Sequence, residues 1–203
     1  MNTPATQPAR LLVLLSGSGR TLENLLDRID RGELPARVVA VIANKDCGGL
    51  EKARARSIPA EVIQGTIPSH AFDELVAHYR ADWVVLAGYL KLVPVTPATL
   101  GRIVNIHPSL LPAFGGPGMH GIKVHQAVVD AFARGEVTES GCTVHLADER
   151  FDTGPVILQK RCPVKPTDDA AQLAARVFTL ELDAYPEALR LLIEGRVPAG
   201  TAR

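Results

Sequence analysis

The chain has 203 residues, 46% of them hydrophobic, and its 22 basic and 22 acidic side chains balance to zero formal charge. At roughly 150 residues per domain this is one domain, able to bury roughly 70% of its unfolded surface without help from a disulfide or a metal. The neutral balance argues against a nucleic-acid or membrane-surface protein, and apolar stretches such as Leu11–Leu15 and Trp83–Ala87 are too short to span a bilayer.

Residues 1–9 are polar and proline-containing and read as a flexible N-terminal tail, not a signal peptide. Residues 10–203 read as the single domain, its first half running over about 10–100 and its second over about 101–203. Arg10–Leu15 reads as a buried strand and Ser16-Gly17-Ser18-Gly19 as a turn. Leu22, Leu25, Leu26 and Ile29 follow the i, i+3, i+4, i+7 spacing of one helix face, ended by Gly32 and Pro35. Val38–Ala43 is a second strand, Gly49–Arg56 a short helix, Ala60–Ile63 a third strand and His70–Arg80 a helix. Trp83–Ala87 is the fourth strand, with Trp83 in the core, and Ile103–His107 the fifth. Apolar strands joined by helical crossovers predict an α/β fold: a doubly wound, mainly parallel sheet with helices on both faces.

The second half changes texture. His107–Ile122 carries three prolines and four glycines and is too long for a mere connection. A helix follows at Lys123–Arg134. Thr143–Ala147 and Val156–Val164 read as strands around a turn at Asp152-Thr153-Gly154, an antiparallel addition to the sheet. Asp168–Glu194 is a long helix capped by Thr167 or Asp168 and bent at Pro186. Cys47, Cys142 and Cys162 form no CxxC pair and leave an odd thiol, which fits a reduced cytoplasmic setting.

Three places could carry chemistry. Gly17-Ser18-Gly19-Arg20-Thr21 lies between strand and helix, where backbone N–H groups and the helix N-terminus favour an anion; a dinucleotide fingerprint would need glycine at Leu22, and a P-loop would need Gly-Lys-Ser/Thr. Without a ligand the same residues make a tight turn. Asn105 and His107 share one face at the carboxyl end of a strand, and Pro108 holds His107 extended. An amide donor beside an imidazole suits acyl chemistry, and the alternative is a pair bonded to loop backbone. Asp152 is ordinary turn chemistry unless it meets His107, where it would raise the imidazole pKa and fix the ring. Lys91 sits among Leu90, Leu92 and Val93, either solvated or beside a pocket for a flat ring; Glu181 is a charged helix position. His120 and His125 flank Gly121 without a ligand pattern, so no metal is expected.

Taken together, Ser16–Gly19, Asn44-Lys45, Val85–Tyr89, Asn105-Ile106-His107-Pro108-Ser109-Leu110-Leu111-Pro112 and Asp152–Ile157 resemble, in order and spacing, the phosphoribosylglycinamide formyltransferase family of folate-dependent enzymes. The likeness runs from about Arg10 to about Glu194. It implies formyl transfer from 10-formyltetrahydrofolate, as co-substrate, to the amine of glycinamide ribonucleotide in purine synthesis, in a monomer or homodimer with no nucleic-acid or membrane partner. It also implies a nucleotide-binding first half and a folate and catalytic second half. Asn105, His107 and Asp152 match the family's catalytic trio. The substrate phosphate falls to Gly19, Arg20 and Thr21 and the ribose to Glu181; Pro108 touches the ribonucleotide. The folate falls to Leu90, Lys91, Leu92 and Val93, with Ala147, Asp148, Asn105 and Asp152 closing its pocket.

The chain departs from the family pattern at three points. Arg20-Thr21 stands where Ser-Asn is common, Ser69 stands where some members carry a folate-tail arginine, and Gly115–Val124 is longer than in the shortest members. No role is carried onto His120 or His125. Among rivals, a methionyl-tRNA formyltransferase needs a further RNA-binding domain, and a formyltetrahydrofolate hydrolase carries an extra domain before the first strand. A sugar-nucleotide amine as acceptor stays open. A nucleotide-binding regulatory domain gives no reason for Asn105, His107 and Asp152 to occur together.

Overall fold

The computed structural model describes residues 7–197. Of the expected tail, residues 1–6 lie outside that range, and the first strand, β1 (Ala9–Leu15), begins one residue before its predicted start. The order continues α1 (Arg20–Asp30), β2 (Ala36–Ala43), α2 (Gly48–Ala55), β3 (Ala60–Val62), α3 (Ser69–His78), β4 (Trp83–Leu86) and β5 (Ile103–His107). It ends with α4 (Ile122–Ala133), β6 (Glu139–Leu146), β7 (Val156–Pro163) and α5 (Ala170–Ile193).

One seven-stranded sheet runs β3-β2-β1-β4-β5-β6-β7. The first five strands are parallel, and β6 and β7 add antiparallel, as the sequence predicts. From β1 the chain winds outward to β3 and then returns to the other side of β1 as β4. This reversal is where open α/β sheets bind ligands, at the carboxyl ends of the strands. Side chains of β1 alternate between two cores. Leu11, Val13 and Leu15 pack with Leu22, Leu25 and Leu26 of α1 and with α5, whereas Leu12 and Leu14 pack with Phe72 and Val76 of α3. Burial on both faces is why Leu11–Leu15 of β1 reads as an uninterrupted apolar run.

The long helix α5 braces the sheet directly beneath the strand ends. The fully buried Tyr185 hydroxyl lies 2.8 Å from the Val104 carbonyl oxygen and 3.1 Å from that of Leu86, spanning β5 and β4. The helix runs through Pro186, which has no N–H to offer the Leu182 carbonyl four residues back. Asn24 of α1 supplies that donor, Nδ2 to oxygen 2.8 Å, so the break in one ladder becomes a joint between two helices. The cap differs from expectation: Asp169, not Thr167 or Asp168, accepts from Gln172 N–H, and the Gln172 side chain accepts from the Asp169 N–H in return. Asp168 is instead paired to Arg176.

Candidate active site

The carboxyl ends of β1, β4 and β5 open onto a cleft of about 470 Å³, roofed by the loop before α4 and walled by α5. The structure brings to it Gly19, Arg20, Thr21, Leu90, Asn105, His107, Pro108, Asp152 and Glu181. Lys91, Leu92, Val93, Ala147 and Asp148 stand outside its lining. Lys91 and Leu92 are exposed, Val93 and Ala147 belong to the second core, and Asp148 accepts from Thr153 Oγ1 and the Arg150 N–H in the turn that carries Asp152.

Asn105 and His107 point the same way from β5, and the antiparallel register sets His145 opposite Asn105 and Thr143 opposite His107. His145 Nδ1 lies 2.9 Å from the Leu146 carbonyl, which can only accept, so this nitrogen carries the proton. Nε2 is therefore a lone pair, and it accepts from Asn105 Nδ2 at 3.1 Å. The second hydrogen of the same amide is directed at Asp152 Oδ1, 3.4 Å away. The other oxygen, Oδ2, accepts from the Gly116 N–H at 3.0 Å and lies 3.4 Å from His107 Nδ1. His107 Nε2 donates to the Phe114 carbonyl at 2.8 Å.

The roof loop thus holds both members of the acid–imidazole pair. Phe114 and Asp152 adopt left-handed backbone, φ 57° and 59°, a conformation that costs a non-glycine residue energy and that the surrounding bonds must enforce. Gly115 lies between the two loop contacts, where a Cβ would meet Leu111 Cδ2 at 2.5 Å and Asp152 Cβ at 3.2 Å and so press on both side chains. The Leu111–Pro112 peptide just before is cis. Thr143 Oγ1 donates to the Ser109 carbonyl at 2.7 Å and accepts from the Leu111 N–H at 3.0 Å, tying the start of the loop to β6.

These contacts decide the charges. Burial acts to raise the Asp152 pKa, but the polar surroundings, the Gly116 N–H among them, outweigh it and hold the carboxyl below its ordinary range. For His107, burial is the larger influence and lowers the pKa, while Asp152 and the Phe114 carbonyl oppose it. Asp152 therefore acts in the expected direction without winning, and the resting imidazole is neutral at pH 7 with Nδ1 bare. A neutral ring with its lone pair against a carboxylate is ready to take up a proton.

At the other end of the cleft, α1 starts without a side-chain cap, so its first N–H groups are open to an anion. Gly19 turns into the helix at φ 75°, where a Cβ would sit 2.6 Å from Gly49 Cα. The Arg20 guanidinium lies 4.0 Å from the centroid of the Phe178 ring, and Glu181 is one turn further along α5. Burial pushes the Glu181 carboxyl up to about 7, with Arg20 pulling the other way.

His145, Phe178 and His125 are site residues that the sequence reading missed. Strand parity goes part of the way to His145, since Thr143 and His145 share one face of their predicted strand as Asn105 and His107 do of theirs; the pairing of the two strands is seen only in the fold. Ala174, Phe178 and Glu181 share one helical face by their i, i+4, i+7 spacing and all line the cleft. His120 and His125 both reach the cleft, His125 from within α4 and His120 from the loop before it.

The family described as formyl transferase matches residues 9–189. The chain is 40% identical over 198 residues to a chloroplastic phosphoribosylglycinamide formyltransferase of Vigna unguiculata, covering 93% of this chain and 62% of that protein. It therefore spans less than two thirds of the length of that plant relative. Among solved structures, glycinamide ribonucleotide transformylase 1 from Symbiobacterium toebii superposes with TM-score 0.81 at 39% identity, covering 96% of this chain and 92% of that one. A formyltetrahydrofolate deformylase from Pseudomonas syringae pv. tomato also gives TM-score 0.81, at 27% identity, covering 97% of this chain and 65% of that one.

Proposed function

The chain belongs to the formyl transferase family, and from that premise we propose that it moves a formyl group from 10-formyltetrahydrofolate to the amine of glycinamide ribonucleotide. The products are formylglycinamide ribonucleotide and tetrahydrofolate. The observation that carries this reading is the meeting of Asn105, His107 and Asp152 in the same cleft as an open helix N-terminus. An acyl-transfer centre and an anion site in one cavity call for a phosphorylated acceptor.

Each substrate is assigned to one end of the cleft. The ribonucleotide phosphate takes the N–H groups of Gly19, Arg20 and Thr21, the ribose takes Glu181, and Pro108 lies against the acceptor. The folate takes the side of Leu90, Asn105 and Asp152 and reaches out of the cleft toward Lys91–Val93 and the turn 147–152. In the reaction, the amine lone pair forms a bond to the formyl carbon and the carbonyl π pair moves to oxygen. His107 Nδ1 accepts the proton that the amine sheds, and Asp152 at 3.4 Å offsets the positive charge that forms on the ring. When the oxygen pair returns, the bond to the folate nitrogen breaks and that nitrogen recovers the proton. No covalent enzyme intermediate is needed: Ser109 Oγ donates to the Ala113 carbonyl and has no base of its own.

Three free cysteines support a reduced compartment such as the cytoplasm, and no helix among the described residues is long and apolar enough to cross a membrane. The test is a spectrophotometric assay of tetrahydrofolate release from 10-formyltetrahydrofolate, with and without glycinamide ribonucleotide. Release that depends on the ribonucleotide is expected. Release without any acceptor would make the protein a hydrolase, and release with neither would leave a binding module.

A further inference from the structure

In the resting cleft the donors nearest the chemistry are already engaged. Both Asn105 hydrogens are directed at His145 and Asp152, His107 Nε2–H is held by Phe114, and the Gly116 N–H is held by Asp152. An oxyanion arriving there needs a donor that is free.

His125 is such a group. It lies on the buried face of α4 with Val124, Val128 and Ala131 and also lines the cleft beside His107. Its Nδ1 is enclosed and has no partner among the described residues. A leucine would fill this helix face without leaving a ring nitrogen unsatisfied, so packing alone gives no reason for an imidazole. Carrying the proton on Nδ1 would bury an N–H with no acceptor. Carrying it on Nε2 puts the N–H at the nitrogen that is not so enclosed, on a ring that lines the cleft. Burial, and then the neighbouring His107, push the imidazole down to about 4, so it is neutral at pH 7 and adds no charge.

We propose that His125 is a further catalytic residue, its neutral imidazole giving Nε2–H to the formyl oxygen as that oxygen takes up the carbonyl electron pair. This rests on the formyl-transfer reading. The oxygen bears that charge only between attack and collapse, so the bond matters in the transition state and little in substrate binding.

Two variants test it, His125→Leu, which removes the donor, and His125→Gln, which restores an N–H at similar reach. Tetrahydrofolate release from 10-formyltetrahydrofolate is measured with and without glycinamide ribonucleotide. His125→Leu is expected to lose about 10²-fold in kcat with both KM values nearly unchanged, and His125→Gln to stay within about tenfold of wild type. Equal losses in the two variants, a loss confined to KM, or a His125→Leu kcat near wild type would overturn the assignment.

Hydrolysis passes through the same kind of oxyanion. A wild type that releases tetrahydrofolate without acceptor therefore defeats the transferase reading, yet the ratio of the two variants still judges His125. A wild type inactive under both conditions overturns both. Independently of activity, ¹⁵N imidazole shifts at pH 7 are expected to show Nε2 protonated and Nδ1 bare, and the opposite tautomer would remove the donor and the proposal with it.

Discussion

Asn105 and His145 face each other across the β5–β6 ladder, and the 3.1 Å contact from amide Nδ2 to imidazole Nε2 fixes which way the amide points. Because the Leu146 carbonyl takes the His145 Nδ1 proton, Nε2 can meet only the NH₂ end of Asn105. His145→Leu should release the amide and lower kcat by roughly tenfold with little effect on KM, and His145→Gln, with a carbonyl acceptor, should recover part of the loss. Steady-state kinetics of the two variants would check this. A His145→Leu enzyme with full kcat would deny the positioning role.

His107 and Asp152 act as a pair, and their removal should be costly in the same parameter. His107→Ala and Asp152→Asn are each expected to cost about 10²–10⁴ in kcat while leaving KM nearly unchanged. The pH profile adds a sign. Burial lowers the His107 pKa from 6.5 and the reaction needs its bare Nδ1, so kcat/KM should fall as pH falls through a value under 6.5 and be level above it. In Asp152→Asn the opposing negative charge is gone, and the limb should move to lower pH still. A limb above 6.5 in the wild type would mean that Asp152, not burial, governs the ring.

How much of this was legible follows from the range of each interaction. β1 and the strands beside it read clearly because burial on both faces writes a continuous apolar run, and Asn105 and His107 read clearly because strand parity is local. β6 begins at Glu139, four residues before its predicted start, since Ser140 and Gly141 carry no apolar signal. The place of Gly141 is dictated across the sheet, where a Cβ would run into the Lys160 carbonyl oxygen. The grip of Phe114 and Gly116 on the catalytic pair uses backbone groups, which every residue has and no sequence displays. His125 depends on where α4 lies against the cleft, a tertiary placement with no local trace.

Arg20, Phe178 and Glu181 make the far end of the cleft testable by binding alone. The Phe178 ring holds the guanidinium 4.0 Å from its centroid and so spares the ordering of a long side chain when a phosphate binds. Phe178→Leu is expected to raise KM for the ribonucleotide about three- to tenfold, and Arg20→Ala by more, with kcat nearly constant. Glu181, near 7 by burial, should bind ribose hydroxyls better as its carboxylate forms, so KM for the ribonucleotide should fall as pH rises through 7. The Glu181→Gln enzyme should show no such step. Titration calorimetry from pH 6 to 8 would see both effects, and a pH-independent wild type would rule out a role for this ionisation.

Burying a neutral His125 has a consequence for stability that is separate from catalysis. Its folded pKa of about 4 lies under the 6.5 of an unfolded histidine, so the unfolded chain binds the extra proton first. The stability tied to the neutral ring is complete above 6.5 and is lost as pH falls from there toward 4, a loss on the order of 3 kcal/mol. Other groups titrate over the same range, so the comparison is between wild type and His125→Leu, which keeps all of them but this one. Between pH 7.5 and pH 4 the Tm of the wild type should drop by roughly 6–12 °C more than that of the variant. A difference between the two proteins that stays constant with pH would show that His125 is not held neutral by its burial.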